Sequence, residues 1–191
     1  NLPERDLWET YLPAFKALVQ EGEVAEVMCA YQRIDGDPCC GNNRYLQHIL
    51  RDEWGSQGIV VSDCGAIRDF YMKDCHAVSP TPSIAAGTAV LAGTDVECGS
   101  VYKHLPQALQ QGEVSLEAIN CSLKRLLVGR IRLGDLDPQP LVPWAAIPQE
   151  RLCSKEHNAL AYQMAQESMV LLHNSNAILP LPKEDINLVV M

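Results

Sequence analysis

Three acidic residues stand where chemistry is easiest to build: Asp63, Asp95 and Glu97. Asp63 closes the run Gly58-Ile59-Val60-Val61-Ser62, and Gly65 releases the chain into a loop just after it. Ile59 to Ser62 shows no alternation of polar and apolar positions, which is how a strand buried on both faces of a parallel sheet reads. A carboxylate at the C-terminal end of such a strand lies where parallel α/β folds keep their chemistry, and it can serve as nucleophile, base or acid. The plainer reading is that Asp63 caps the next turn, a common task for Asp. Asp95 and Glu97 sit in Gly93-Thr94-Asp95-Val96-Glu97-Cys98-Gly99, which predicts a short strand ending in a second acidic turn that faces the same mouth.

Eight cysteines, Cys29, Cys39, Cys40, Cys64, Cys75, Cys98, Cys121 and Cys153, are many for 191 residues. None shows CxxC spacing and the five histidines do not cluster with them, so no zinc site is expected. Cys29 and Cys121 fall in apolar segments and read as buried thiols, and Cys64 as a packing thiol. Cys39, Cys40 and Cys75 fall in loops and are candidates for a disulfide in an oxidising compartment. His76 and His104 stand alone in a loop and at a helix start and read as surface residues.

The elements that must position these groups follow a regular order. Residues 5–21 carry Leu7, Trp8, Tyr11, Leu12, Phe15 and Leu18 at helical spacing, ended by Gly22. A largely apolar strand over 24–31 leads into a loop rich in Asp, Gly, Pro and Asn. Leu46, Ile49, Leu50 and Trp54 then predict a helix over 44–54. After the Ile59–Ser62 strand comes a loop through residue 82, longer than most strand–helix connections and therefore a candidate functional loop. Helices are expected over 83–92, 103–111 and 115–132. Strand and helix alternate, which is the pattern of a parallel sheet with crossovers. Gly134 to Pro148 holds four prolines and reads as a linker. A helix from Ser154 to about His173 and a buried-type strand over Ile186–Met191 follow.

The formal charge of −9 argues against nucleic acid and anionic membranes as partners. No apolar run approaches the roughly 18 residues of a membrane span, and no signal peptide is visible at the N-terminus. Three strands cannot close a barrel, and an open three-stranded parallel sheet exposes long edges. The chain therefore reads as a piece of a larger protein, its edges covered by the remainder of the parent chain or by self-association.

Five stretches carry a family resemblance: VMCAYQRIDGDPCC (27–40), LRDEWGSQGIVVSDCGAI (50–67), AAGTAVLAGTDVECG (85–99), RLLVGRIRLGDLD (125–137) and AQESMVLLHNSNAILPL (165–181). In this order and spacing the chain resembles family 3 glycoside hydrolases, and within them the β-xylosidase-like branch. The resemblance implies an α/β fold class: residues 1–135 as the last part of a (β/α)8 TIM-like barrel, 136–155 as an interdomain linker and 156–191 as the first helix and strand of an α/β sandwich.

It also implies chemistry. Asp63 falls on the family's nucleophile, and Tyr31 on a tyrosine able to bond that nucleophile or the sugar. Glu97 is a candidate for sugar hydroxyls, against the alternative of a solvated loop carboxylate. Asp95 is expected to be structural, bonding backbone in its loop. The family's acid/base glutamate is expected downstream of Met191 and its Lys–His substrate pair upstream of Asn1. Cys64 stands where glucosidase-like members usually carry Trp, which points to a pentose pocket, as does the Glu97-Cys98-Gly99 turn. The implied activity is retaining hydrolysis of terminal β-xylosides through a glycosyl-enzyme on Asp63. β-Glucosidase or α-L-arabinofuranosidase activity is the alternative on the same scaffold, and a third reading is an isolated fragment without activity. The substrate is an oligosaccharide or an aryl or alkyl glycoside, no cofactor or metal is implied, and a periplasmic or secreted location is the expectation for such enzymes.

Overall fold

A computed structural model of the chain describes residues 2–182. The strand predicted over Ile186–Met191 lies outside the described residues. The chain divides into two compact units, Asn1–Val142 and Pro143–Met191.

In the first unit the predicted N-terminal helix forms in three consecutive pieces. These are α1 (Glu4–Asp6), a π-helical turn (Leu7–Tyr11) and α2 (Leu12–Gln20). The change of winding falls just before Pro13, which has no N–H to give and whose ring crowds the carbonyl four residues back. Only Leu7 of the predicted apolar face is buried; Tyr11, Phe15 and Leu18 remain exposed.

Strand β1 (Glu26–Cys29) follows, then a small antiparallel hairpin of β2 (Arg33–Ile34) and β3 (Asp37–Pro38). The helix predicted over 44–54 is present as a π-helix, Arg44–Glu53. Asn42 steadies its start, its Oδ1 accepting the Tyr45 N–H at 3.3 Å. The side chains picked out by spacing, Leu46, Ile49, Leu50 and Trp54, are all buried, and they form the core together with Val60, Ile67 and Phe70.

Strand β4 (Ile59–Ser62) pairs in parallel with β1, in the register Glu26↔Ile59 to Cys29↔Ser62. Gly58 is required at its entry, because a Cβ there would lie 2.6 Å from the Ala25 carbonyl oxygen. Val60 and Ser62 are buried while Ile59 and Val61 stay partly exposed, so one face of the strand is closed and the other is not. The third strand predicted over 93–99 is reduced to a single parallel bridge, Val61↔Val96. Its ladder cannot extend, because the Asp95 and Val96 amides both donate to the Val60 carbonyl, and the Cys98 amide turns to the Ser62 hydroxyl.

Helix α3 (Pro82–Ala92) begins at Thr81, whose hydroxyl accepts the Ile84 N–H at 3.2 Å, and ends at Gly93 with φ +107°. After α4 (Leu105–Gln110), Ser115 caps α5 (Leu116–Arg132). Residues 136–142 belong with this unit, Val142 being buried and close to Gly134.

The second unit contains short 3-10 turns and α6 (Lys155–Glu167), which starts where predicted, with the Ser154 hydroxyl accepting the His157 N–H at 3.2 Å. It stops at Glu167 rather than near His173. The Ser168 hydroxyl turns back to the Ala165 carbonyl, which competes with the helical ladder, and β-branched Val170 follows.

The cysteines differ most from expectation. Cys29 is buried but bonded to Cys40, with Cα atoms 5.1 Å apart, and Cys64 is bonded to Cys98, at 4.6 Å. Cys121 is exposed, and Cys39 and Cys75 are free thiols. Both bonds join residues distant in sequence, so spacing alone could not pair them.

Candidate active site

The parallel arrangement brings three C-terminal strand ends to one edge, with β4 between β1 and the Val96 bridge. Asp63 leaves the end of β4. Its amide donates to the Cys29 carbonyl at 3.2 Å, and its Oδ1 accepts the Cys64 N–H at 2.6 Å, which fixes the carboxylate's direction. Gly65, at φ +78°, takes the left-handed turn that a side chain would disfavour, and its N–H reaches the Cys98 carbonyl at 2.7 Å.

Tyr31 lies two residues beyond β1 and is 44% exposed. Its hydroxyl donates to the Cys64 carbonyl at 2.6 Å, so it bears on the residue that follows Asp63. Partial loss of solvent and the Asp63 carboxylate beside it push the phenol's pKa up, with Arg68 opposing, so Tyr31 keeps its proton as a donor. His76 is half-buried rather than a free surface residue. Its Nε2 bonds the Tyr31 carbonyl at 2.7 Å, and its ring stands edge-on to Phe70.

Glu97 is neither loose nor fully solvated. Its Oε1 accepts the Val101 N–H at 2.8 Å and its Oε2 the Tyr102 N–H at 2.5 Å, serving amides that a helical start leaves without partners. A Cβ at position 99 would meet Glu97 Oε1 at 2.5 Å, so Gly99 makes room for that carboxylate.

Asp95 has a structural role, but its carboxylate bonds groups on other elements and not, as expected, the backbone of its own loop. Its side chain is fully buried, with Oδ2 accepting from Arg51 at 2.6 Å and from the Val60 N–H at 2.9 Å, and Oδ1 from Arg125 at 2.9 Å. Arg51 also donates to the Gly58 and Gly93 carbonyls. Burial lowers the pKa of the Arg51 guanidinium, and the Asp95 charge works against that shift. Sequence reasoning missed both arginines. The available signal was a charged residue inside an otherwise core-facing helical stretch, Leu50-Arg51.

Among the described residues no three His, Cys, Asp or Glu side chains converge as a metal site would require. An apolar recess of about 510 Å³, lined by Leu7, Phe15, Val27, Ile34, Leu46 and Trp54 among others, does not include Asp63. With few polar groups in its walls, it is not where the carboxylate chemistry lies.

Asp63 is thus an acidic group at the end of a parallel strand, braced by loops from its two neighbours. Residues 1–128 match the Glycosyl hydrolase family 3 N terminal domain. A xylan 1,4-β-xylosidase of Xylanibacter ruminicola is 51% identical over 96% of this chain and 21% of its own length. A probable β-D-xylosidase 7 of Arabidopsis thaliana is 39% identical over 95% of this chain and 24% of its own. Among solved structures, a GH3 exo-β-xylosidase in complex with a xylobiose aziridine activity-based probe superposes with a TM-score of 0.85 at 32% identity, covering 96% of this chain and 24% of that one. A β-glucosidase from Listeria innocua in complex with glucose gives a TM-score of 0.81 at 29% identity, covering 95% and 24%. The chain belongs to glycosyl hydrolase family 3. It spans between a fifth and a quarter of the length of these relatives.

Proposed function

We propose that the whole protein is a retaining glycosidase that releases terminal β-linked xylose from oligosaccharides or aryl xylosides, with Asp63 as nucleophile. One observation carries the reading. Asp63 stands at the C-terminal end of β4, between Tyr31 and Glu97 on the neighbouring segments, in a chain half identical to a xylan 1,4-β-xylosidase. A carboxylate oxygen of Asp63 attacks the anomeric carbon as the glycosidic C–O bond breaks, and water later hydrolyses the resulting ester. Tyr31 holds the Cys64 peptide and is near enough to contact the nucleophile or the sugar. Glu97 keeps lone pairs beyond the two it gives to backbone, and these can accept a sugar hydroxyl. Asp95 is buried and committed to two arginines, so the proton donor to the leaving group is proposed to come from outside this chain.

In this reading residues 1–135 form the end of a (β/α)8 barrel, 136–155 a linker whose residues 136–142 pack with the first unit, and 156–191 the start of an α/β sandwich. The remainder of the protein, or a second copy, covers Tyr11, Phe15, Leu18 and Met28, each more than half exposed. A β-glucosidase activity is the second reading, favoured by the Listeria innocua neighbour.

The test uses the full-length protein carrying this segment. Asp63→Ala is expected to lower kcat/KM on the order of 10⁴-fold or more, the scale of losing a nucleophile. A panel of aryl xyloside, glucoside and arabinofuranoside should rank xyloside first; a glucoside preference would move the assignment to the second reading.

A further inference from the structure

We propose that the Cys64–Cys98 bond is a reducible brace holding the Asp63 loop against the Glu97 loop, and that opening it slows turnover while the fold stays intact. The inference rests on the reading of Asp63 as nucleophile. Cys64 and Cys98 each directly follow one of the two acidic residues at the strand ends, so the bond ties one acidic loop to the other. Cys64 is also the residue whose N–H holds Asp63 Oδ1 and whose carbonyl receives Tyr31. Its orientation therefore sets the direction of the carboxylate, and Cys64 and Cys98 are positioning residues.

The two bonds in the chain differ in access. Cys29 and Cys40 are 3% and 0% exposed, inside the core, whereas Cys64 and Cys98 are both exposed. A reductant meets the second pair first. Three hydrogen bonds between the same loops do not involve the sulfurs: Gly65 N–H to Cys98 carbonyl, Cys98 N–H to Ser62 hydroxyl, and Ser62 N–H to Val96 carbonyl. These keep the strand ends together once the sulfurs part. The free thiol in the same loop, Cys75, is exposed, and loss of solvent together with the Asp69 carboxylate pushes its pKa up, which favours the protonated, less nucleophilic form.

The chemistry is thiol–disulfide exchange with a dithiol. Its thiolate attacks one sulfur, the other leaves and takes up a proton, and the second thiol of the reductant resolves the mixed disulfide. Two electrons pass to the protein, Cys64 and Cys98 become thiols, and the reductant leaves as its own disulfide.

Two experiments test the proposal. In the first, the full-length protein carrying this segment is titrated with dithiothreitol, trapped with iodoacetamide and mapped by peptide mass. Cys64 and Cys98 are expected to be alkylated before Cys29 and Cys40, and the reverse order or simultaneous opening overturns the proposal. In the second, the full-length enzyme is reduced under the conditions that open only Cys64–Cys98. The expectation is a fall in kcat/KM of ~10-fold or more, carried mainly by kcat, as displacement of a reacting group produces. Circular dichroism should not change, and reoxidation should restore the rate. A variant with both Cys64→Ser and Cys98→Ser should start at the lowered rate and ignore dithiothreitol. Unchanged turnover with both sulfurs alkylated overturns the proposal, and the reductant titration decides the matter if the double variant does not fold. If Asp63 is not the nucleophile, its own substitution leaves turnover in place whatever the order of thiol release, so the two failures are distinguishable.

Discussion

Asp95 divides its two carboxylate oxygens among Arg51, Arg125 and the Val60 amide in a place closed to water. The value of such a group shows when it is broken, because the partner charge is left buried and unpaired. Asp95→Asn is expected to destabilise the chain by roughly 3–5 kcal/mol in urea unfolding. Adding Arg51→Met to it should recover part of that loss, since the stranded charge is then gone. Tyr45 offers a second test at this scale. Burial, then its bond to Asp35, push its phenol up to about 12. The phenol binds its proton more tightly in the folded chain, so its contribution is complete below the unfolded value near 10 and is lost as pH rises through about 12. The phenolate absorbance of the folded chain should therefore show a late component that Tyr45→Phe removes.

At the scale of elements, close approach decides which residues are tolerated. β4 enters beside Ala25 so tightly that Gly58→Ala should cost about 1–3 kcal/mol, as overpacking does, read from the unfolding midpoint. Helical spacing made the π-helix Arg44–Glu53 legible, because Leu46, Ile49, Leu50 and Trp54 declare one buried face whatever the winding. β4 was legible from its apolar run and the carboxylate that ends it. The shortened third strand was not, since the carbonyl that takes two amides belongs to Val60, on another strand. The arginines of Asp95 were hidden for the same reason: they come from 44 and 30 positions away. The cysteine pairs, 11 and 34 residues apart, follow from how the loops meet and not from any spacing rule. Asp63 is singled out by its strand end and by the family pattern, and Tyr31 by the family pattern alone; their contacts with Cys64 and His76, and the Cys64–Cys98 bond, needed the fold.

On the scale of the whole molecule, the proposed reading gives this chain one carboxylate of a two-carboxylate reaction together with the loops that aim it. Its relatives are four to five times longer, and the apolar side chains left open on α2 and β1 mark where further protein is proposed to pack. The identity of the nucleophile is the central claim, and trapping the intermediate tests it most directly. A 2-fluoro-xyloside with a good leaving group forms the glycosyl ester but slows its hydrolysis, so the full-length enzyme should stall with one sugar attached. Peptide mass mapping is expected to place that sugar on Asp63. A label on another carboxylate, or steady turnover with no label, would contradict the account.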